Sequence, residues 1–239
     1  MAHPRRAARP SCRRDALAVL SLLLPAFVTL TLAPLPAAHA ATLTVQNTND
    51  SFAGSLRQQV LDSAAGDTIV FAPATWGNAI TLTGGQIVVS HDLVILGPQH
   101  DLLVLRGTDS SRLFELDGGH LTIGGLALAD AFVDGMGQGG GLIRLGASGA
   151  ALTVVDSYLA DGRGVGGGLI LAPFESPIEL VRCTLNDGVS SGSDGGAIAT
   201  LGPLTATDCL FFGNQAAGFG PCADQLLLSN LDSAGTDVS

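Results

Sequence analysis

Four stretches of this chain align without a gap: HLTIGGLALADA from His120, ALTVVDSYLADG from Ala151, PIELVRCTLNDG from Pro177 and PLTATDCLFFGN from Pro203. Their starts lie 31, 26 and 26 residues apart. A unit this short cannot bury its own apolar face, so neighbouring units must stack to make a core. Positions two, four, seven and nine of each stretch are mainly apolar. They read Leu121, Ile123, Leu126, Leu128; then Leu152, Val154, Ser157, Leu159; then Ile178, Leu180, Cys183, Leu185; then Leu204, Ala206, Cys209, Phe211. Alternation of period two with one slip describes a strand that bends and continues. A second register agrees with the first: GGLI at Gly140, GGLI at Gly167 and GGAI at Gly195. The two series interleave as Gly-Gly turn, strand, loop and second strand.

Upstream, Ile80–Thr83, Gln86–Val89, Asp92–Leu96 and Leu102–Leu105 read as further strands, split by Gly-Gly, His91 and Gly97-Pro98. The expected fold is all-β: a single-stranded parallel β-helix of about six coils, ~29 Å tall at the ordinary strand spacing. A leucine-rich horseshoe is the rival. It fits less well, because its Leu-x-x-Leu-x-Leu repeat does not recur and helix signals vanish after residue 66. Low charge (13%) and 32 glycines suit ladders of aliphatic residues joined by tight turns.

The stretch before the coils has another character. Ala41–Asn47 alternates as a short strand should. Ser55 can cap a helix through Ala65 with Leu56, Val60 and Leu61 on one face, and Gly66 suits the left-handed position that ends it. Thr68–Phe71 is a β-branched strand. The string GSLRQQV…AAGDTIVF, from Thr44 to Phe71, resembles the N-terminal cap of bacterial surface proteins built from right-handed parallel β-helix repeats, the pectin-lyase-like fold. GGAI at Gly195 with FFGN at Phe211 resembles the GGA[IVL]/FxxN pair of polymorphic outer membrane protein repeats. These resemblances imply a right-handed coil, a helix-strand cap over its first turn, and a surface location.

Residues 1–40 read as an export segment. Arg5, Arg6, Arg9, Arg13 and Arg14 precede an apolar run from Ala16 to Leu35, and Ala38-His39-Ala40 offers small residues at −3 and −1 of a cut before Ala41. An uncleaved anchor is the competing reading of so long a run. The expected organisation is therefore a signal peptide at 1–40, a cap at 41–78, coils at 79–226, and a tail at 227–239 that breaks off before any closing element. Without the first forty residues the chain holds six Arg, no Lys and twenty acids, a formal −14. That balance excludes a nucleic-acid-binding face.

Three columns carry the candidate sites. Asp156, Arg182 and Asp208 share one outward position, where an Arg between two carboxylates reads as an ion-pair ladder or as a contact for an acidic sugar. Asp130, Asp161 and Asp187 share another. There Asp-Gly reads first as turn chemistry, and stacked carboxylates could hold calcium. Cys183 and Cys209 share an inward position and read as buried thiols acting as small apolar residues. Cys222 is left over. His91, His100 and His120 have no metal-ligand spacing. No metal, no cofactor and no catalytic residue is expected. The expected role is structural or adhesive, with an extracellular carbohydrate or cell-surface ligand as partner and no membrane span after cleavage. A polysaccharide lyase or hydrolase is one alternative, and a passenger fragment of a longer anchored protein is another.

Overall fold

The computed structural model describes residues 39–133, 139–192 and 195–217, together with the backbone of Leu227–Leu228. Strand β1 (Thr42–Val45) opens it, helix α1 (Leu56–Asp62) follows, and β2 (Asp67–Phe71) closes the cap. Beyond β2 the chain winds as a parallel β-solenoid of six coils, a parallel β-helix. All strand pairing between the named strands is parallel and in register. The first face carries seven strands, the second six and the third six, with a four-stranded strip between the second and third.

Each aligned repeat contributes one strand to the first face and one to the second, so the alternation seen in the sequence becomes stacked columns. Leu121, Leu152, Ile178 and Leu204 pair in series on the first face. Leu105, Leu128, Leu159, Leu185 and Phe211 do so on the second. The Gly-Gly register leads into the third face, where Phe114, Ile143, Ile170 and Ile198 stack. These columns form one continuous aliphatic core. Strand β2 is both the end of the cap and the first rung of the first face, since it pairs with Leu93–Leu96 as well as with β1.

The cap differs from expectation in two details. Helix α1 begins as expected, with Ser55 Oγ accepting from the Gln58 N–H at 3.2 Å. It ends at Asp62, with Ser63 at its C-cap. Gly66 does take a left-handed φ of 89°, but it serves the turn into β2 rather than the helix end. Leu56 and Val60, four apart, are buried, whereas Leu61 is 73% exposed because one further residue turns it away. Arg57 ties the cap to the first coil. It pairs with Asp50 at 2.8 Å and donates to the Gly85 and Gln86 carbonyls. Among the described residues, no helix is long and apolar enough to cross a membrane.

Candidate functional site

The two outward columns are the bends of the coil. Gly125, Asp156, Arg182 and Asp208 sit between the first and second faces, with φ of 62°, 50°, 53° and 54°. Asp130, Asp161, Asp187 and Gly213 sit after the second face, with φ of 55°, 52°, 51° and 68°. Each coil from the third onward turns twice through the left-handed region, which Gly and Asp tolerate. Arg is the unexpected occupant. Arg182 makes a two-pronged contact with Asp156, Nε to Oδ1 at 2.6 Å and Nη2 to Oδ2 at 2.8 Å. These bonds hold the Asp156 carboxyl below its usual range and the Arg182 guanidinium above its own. Asp208 acts on Arg182 only through its charge, so Arg182 favours one carboxylate rather than bridging two.

In the second column, Arg106 meets Asp130 at 2.9 Å. Burial, followed by repulsion from Asp130 and Asp187, pushes the Asp161 carboxyl up. Among the described residues no group of three or more His, Cys, Asp or Glu is placed to hold a metal ion. One residue beyond this bend, the buried Asn214 gives the FxxN motif a physical role. Its amide accepts from the Gly188 N–H and donates to the Leu185 carbonyl, both at 2.9 Å, which joins the sixth coil to the fifth.

The inward column one residue after the first bend is more than apolar filling. Leu126 N–H donates to Ser157 Oγ at 3.3 Å. Two coils on, the Cys183 N–H donates to Cys209 Sγ at 3.4 Å. Each hydroxyl or thiol also donates to the carbonyl two residues back: Ser157 to Val155, Cys183 to Val181, Cys209 to Thr207. A bend strips one N–H per coil of a strand partner, and a small side chain from the next coil supplies the acceptor. Cys183 and Cys209 are both free thiols. The hydrogen bond to Cys209 and then burial push the Cys183 thiol up. Cys222 lies outside the described residues.

A lateral cleft of about 740 Å³ adjoins the first bend. Its origin is one irregular corner. The third to sixth coils turn from first to second face in two residues, but the second coil spends Gly97–Leu102 on the same turn. That loop lies down over the third coil because the residues beneath it are Gly124 and Gly125. A β-carbon on Gly97 would strike the Gly125 carbonyl oxygen, and one on Gly125 would sit 3.0 Å from the Gly97 oxygen. The cleft is lined by Gln99, His100, Asp101, Thr122 and Asp156 over an apolar floor of Leu96, Pro98 and Val155. His100 is close enough to favour the ionised Asp156. Arg182 stands at the rim through its bonds to Asp156. His91 instead bonds Ser63 Oγ at 3.0 Å, and His120 bonds Thr153 Oγ1 at 2.9 Å. Neither joins the cleft.

Of the column Asp156, Arg182 and Asp208, Asp156 lines the cleft, Arg182 reaches it only through its bonds to Asp156, and Asp208 does not line it; the cleft residues His100 and Asp101 were not singled out as a site by the sequence. The available signal was the six residues GPQHDL standing where the third to sixth coils have a two-residue corner. A separate cluster lies on the third face. The buried Glu115 pairs with Arg112 and, at 2.6 Å, with Arg144. Burial, resisted by Glu115, pulls the Arg112 guanidinium below its usual value.

Comparison with protein-family models and with curated proteins gives no match. The fold and the cleft together define a class: a parallel β-helix with a polar groove on its flank.

Proposed function

We propose that this chain is an exported, surface-associated β-helix with a structural or adhesive role, and that the flank cleft binds an extracellular carbohydrate. One observation carries the reading. Gln99, His100, Asp101, Thr122 and Asp156 converge on a single open groove over an apolar floor, a donor–acceptor set suited to sugar hydroxyls and to the apolar face of a pyranose. The cleft lining is acidic, which favours neutral or amino sugars over uronates. The bacterial surface-protein resemblance of the cap and of the GGAI/FFGN pair supports the same reading, as does the export-like segment.

The test is a glycan panel against the protein, with His100→Ala and Asp156→Asn as groove variants. Binding weakened about tenfold or more by each variant, with melting curves unchanged, is the expected result. Binding that ignores both substitutions would sink the assignment of the cleft. The enzymatic alternative draws on the pairing of an imidazole with carboxylates in that groove. It predicts turnover of a bound glycan that His100→Ala abolishes.

A further inference from the structure

The rung position occupied by Leu93, Leu121, Leu152, Ile178 and Leu204 in five successive coils is occupied in the first coil by Asp67. All six side chains are buried, and Asp67 is 5% exposed. A carboxylate at an aliphatic ladder position requires partners. Its two oxygens have them: Oδ2 accepts from the Ala64 N–H at 2.8 Å, and Oδ1 accepts from the Ala41 N–H at 2.7 Å. Those two bonds hold the Asp67 carboxyl below its usual range, with a smaller contribution from the charge of His91.

Ala41 is the first residue after the segment read as an export signal, residues 1–40. Its nitrogen is fixed by Asp67, and its carbonyl accepts from the Thr68 N–H at 2.8 Å. His39 and Ala40, immediately before it, are exposed. We propose that Asp67 is a built receptor for a processed N-terminus, so that cleavage between Ala40 and Ala41 creates an α-ammonium held by the Asp67 carboxylate. The proposal rests on reading residues 1–40 as an export segment.

The chemistry balances simply. Hydrolysis adds one water across the Ala40–Ala41 amide. Ala40 departs with the new carboxylate, and the Ala41 amine takes up a proton near neutral pH. One neutral N–H donor at the Ala41 nitrogen becomes a full charge with three donors at the same place. The bond to Asp67, already charge-assisted on the acceptor side, becomes an ion pair with charge on both partners. Processing thereby locks β1 onto the solenoid. The other titratable groups at this corner are His91 and Asp92 on the next coil and His39, which leaves with the segment.

The sequence offers a clean assay, because it contains no Lys and the α-amine of a chain beginning at Ala41 is its single amine. Amine-directed acylation then titrates that group alone. The α-ammonium pKa is expected to rise by about one unit above its ordinary ~7.7–8.0. Acylation of the folded chain near pH 8 should therefore run severalfold, up to about tenfold, slower than in Asp67→Asn. Equal rates overturn the receptor.

Should Asp67→Asn not fold, melting of the free and Nα-acetylated forms gives a second readout. The free form is expected to melt higher below about pH 8, with the two converging as pH rises through the elevated α-ammonium pKa. Coincident curves at all pH values overturn the receptor as well. Intact mass of the exported protein tests the processing step separately. A chain starting at Ala41 supports it, and a different start overturns the cleavage assignment whatever the acylation rates show.

Discussion

The Ser157–Cys183–Cys209 column makes a sharp prediction about what Cys183 does. Cys183 is 2% exposed, which would suit a residue valued for volume alone. On that view Cys183→Val, similar in size and fully apolar, is neutral or stabilising. The hydrogen bonds say otherwise. Replacing the sulfur with methyl groups removes the donor that reaches the Val154 carbonyl at 3.3 Å and the Val181 carbonyl at 3.4 Å. Each intramolecular hydrogen bond lost costs about 0.5–1.5 kcal/mol. Cys183→Ser keeps the donor and should lie within about 1 kcal/mol of the parent. The expected order of stability is parent, then Ser, then Val, with about 2 kcal/mol between the last two. At an m-value of about 2 kcal/mol/M, that is roughly 1 M in urea midpoint. Ser157→Ala, which strips the acceptor from the Leu126 N–H, should resemble Cys183→Val. If Cys183→Val unfolds at the same or higher urea than Cys183→Ser, the column is filling space and the reasoning fails. Alkylation gives an independent check. Cys209 is half-buried, and its thiol is held below its usual value by the Cys183 hydrogen bond, so it should react first while Cys183 stays protected until unfolding.

Four further outcomes are expected. Gly168→Ala should destabilise by about 1–3 kcal/mol in chemical denaturation, since a β-carbon there would meet the Gly196 oxygen, the Val189 nitrogen and the Gly188 carbonyl carbon, all backbone. Gly149→Ala has open space around it but a φ of 85°, so its smaller loss should come from backbone strain alone. Glu115→Gln should destabilise in thermal or urea melts by about 1–3 kcal/mol, because it removes the buried carboxylate that Arg112 and Arg144 share. The cap should be acid-sensitive. Burial raises the Asp50 carboxyl, but the Arg57 bonds, the Gly84 N–H and Thr83 outweigh it and hold the folded value low. Stability from this group is complete above the unfolded carboxylate range and drains away as pH falls below about 4. Hydrogen-exchange protection of α1, taken relative to the intrinsic rate at each pH, should fall there, and Asp50→Asn should remove that pH dependence.

The stacking of coils was legible because columns of like residues recur at nearly constant spacing. The slip between positions four and seven was legible too, and it proves to be a left-handed bend. Its Asp occupants are turn formers by chemistry, but Arg182 is not. Only the φ shared with Gly125, Asp156 and Asp208 explains its place. The end of α1 was misjudged because Gly66 has the expected conformation in a neighbouring turn, and local propensity cannot say which of two nearby elements a glycine serves. The cleft stayed hidden for a different reason. Sequence alignment shows what repeats, and the cleft is built by a corner that does not. His100 and Asp156 meet only because Gly124 and Gly125 let the Gly97–Leu102 loop lie flat across the coil between them.

The two bends per coil also set which changes of length the chain can absorb. In the last three repeats the distance from first to second face is fixed by a two-residue corner, and Leu152, Ile178 and Leu204 follow at steps of 26. From the second bend to the third face, Asp130 to Ile143, the third coil spends four residues more than the fourth does from Asp161 to Ile170. From the third coil onward, added length thus appears after the second bend and not at the first. The natural unit of gain or loss is a whole turn cut bend to bend, such as 177–202, whose removal would rejoin Leu152 to Leu204 in unbroken register and shorten the rod by ~4.8 Å. A lineage can lengthen or trim such a molecule by copying or dropping turns, while the flank cleft, confined to the second, third and fourth coils, travels unchanged.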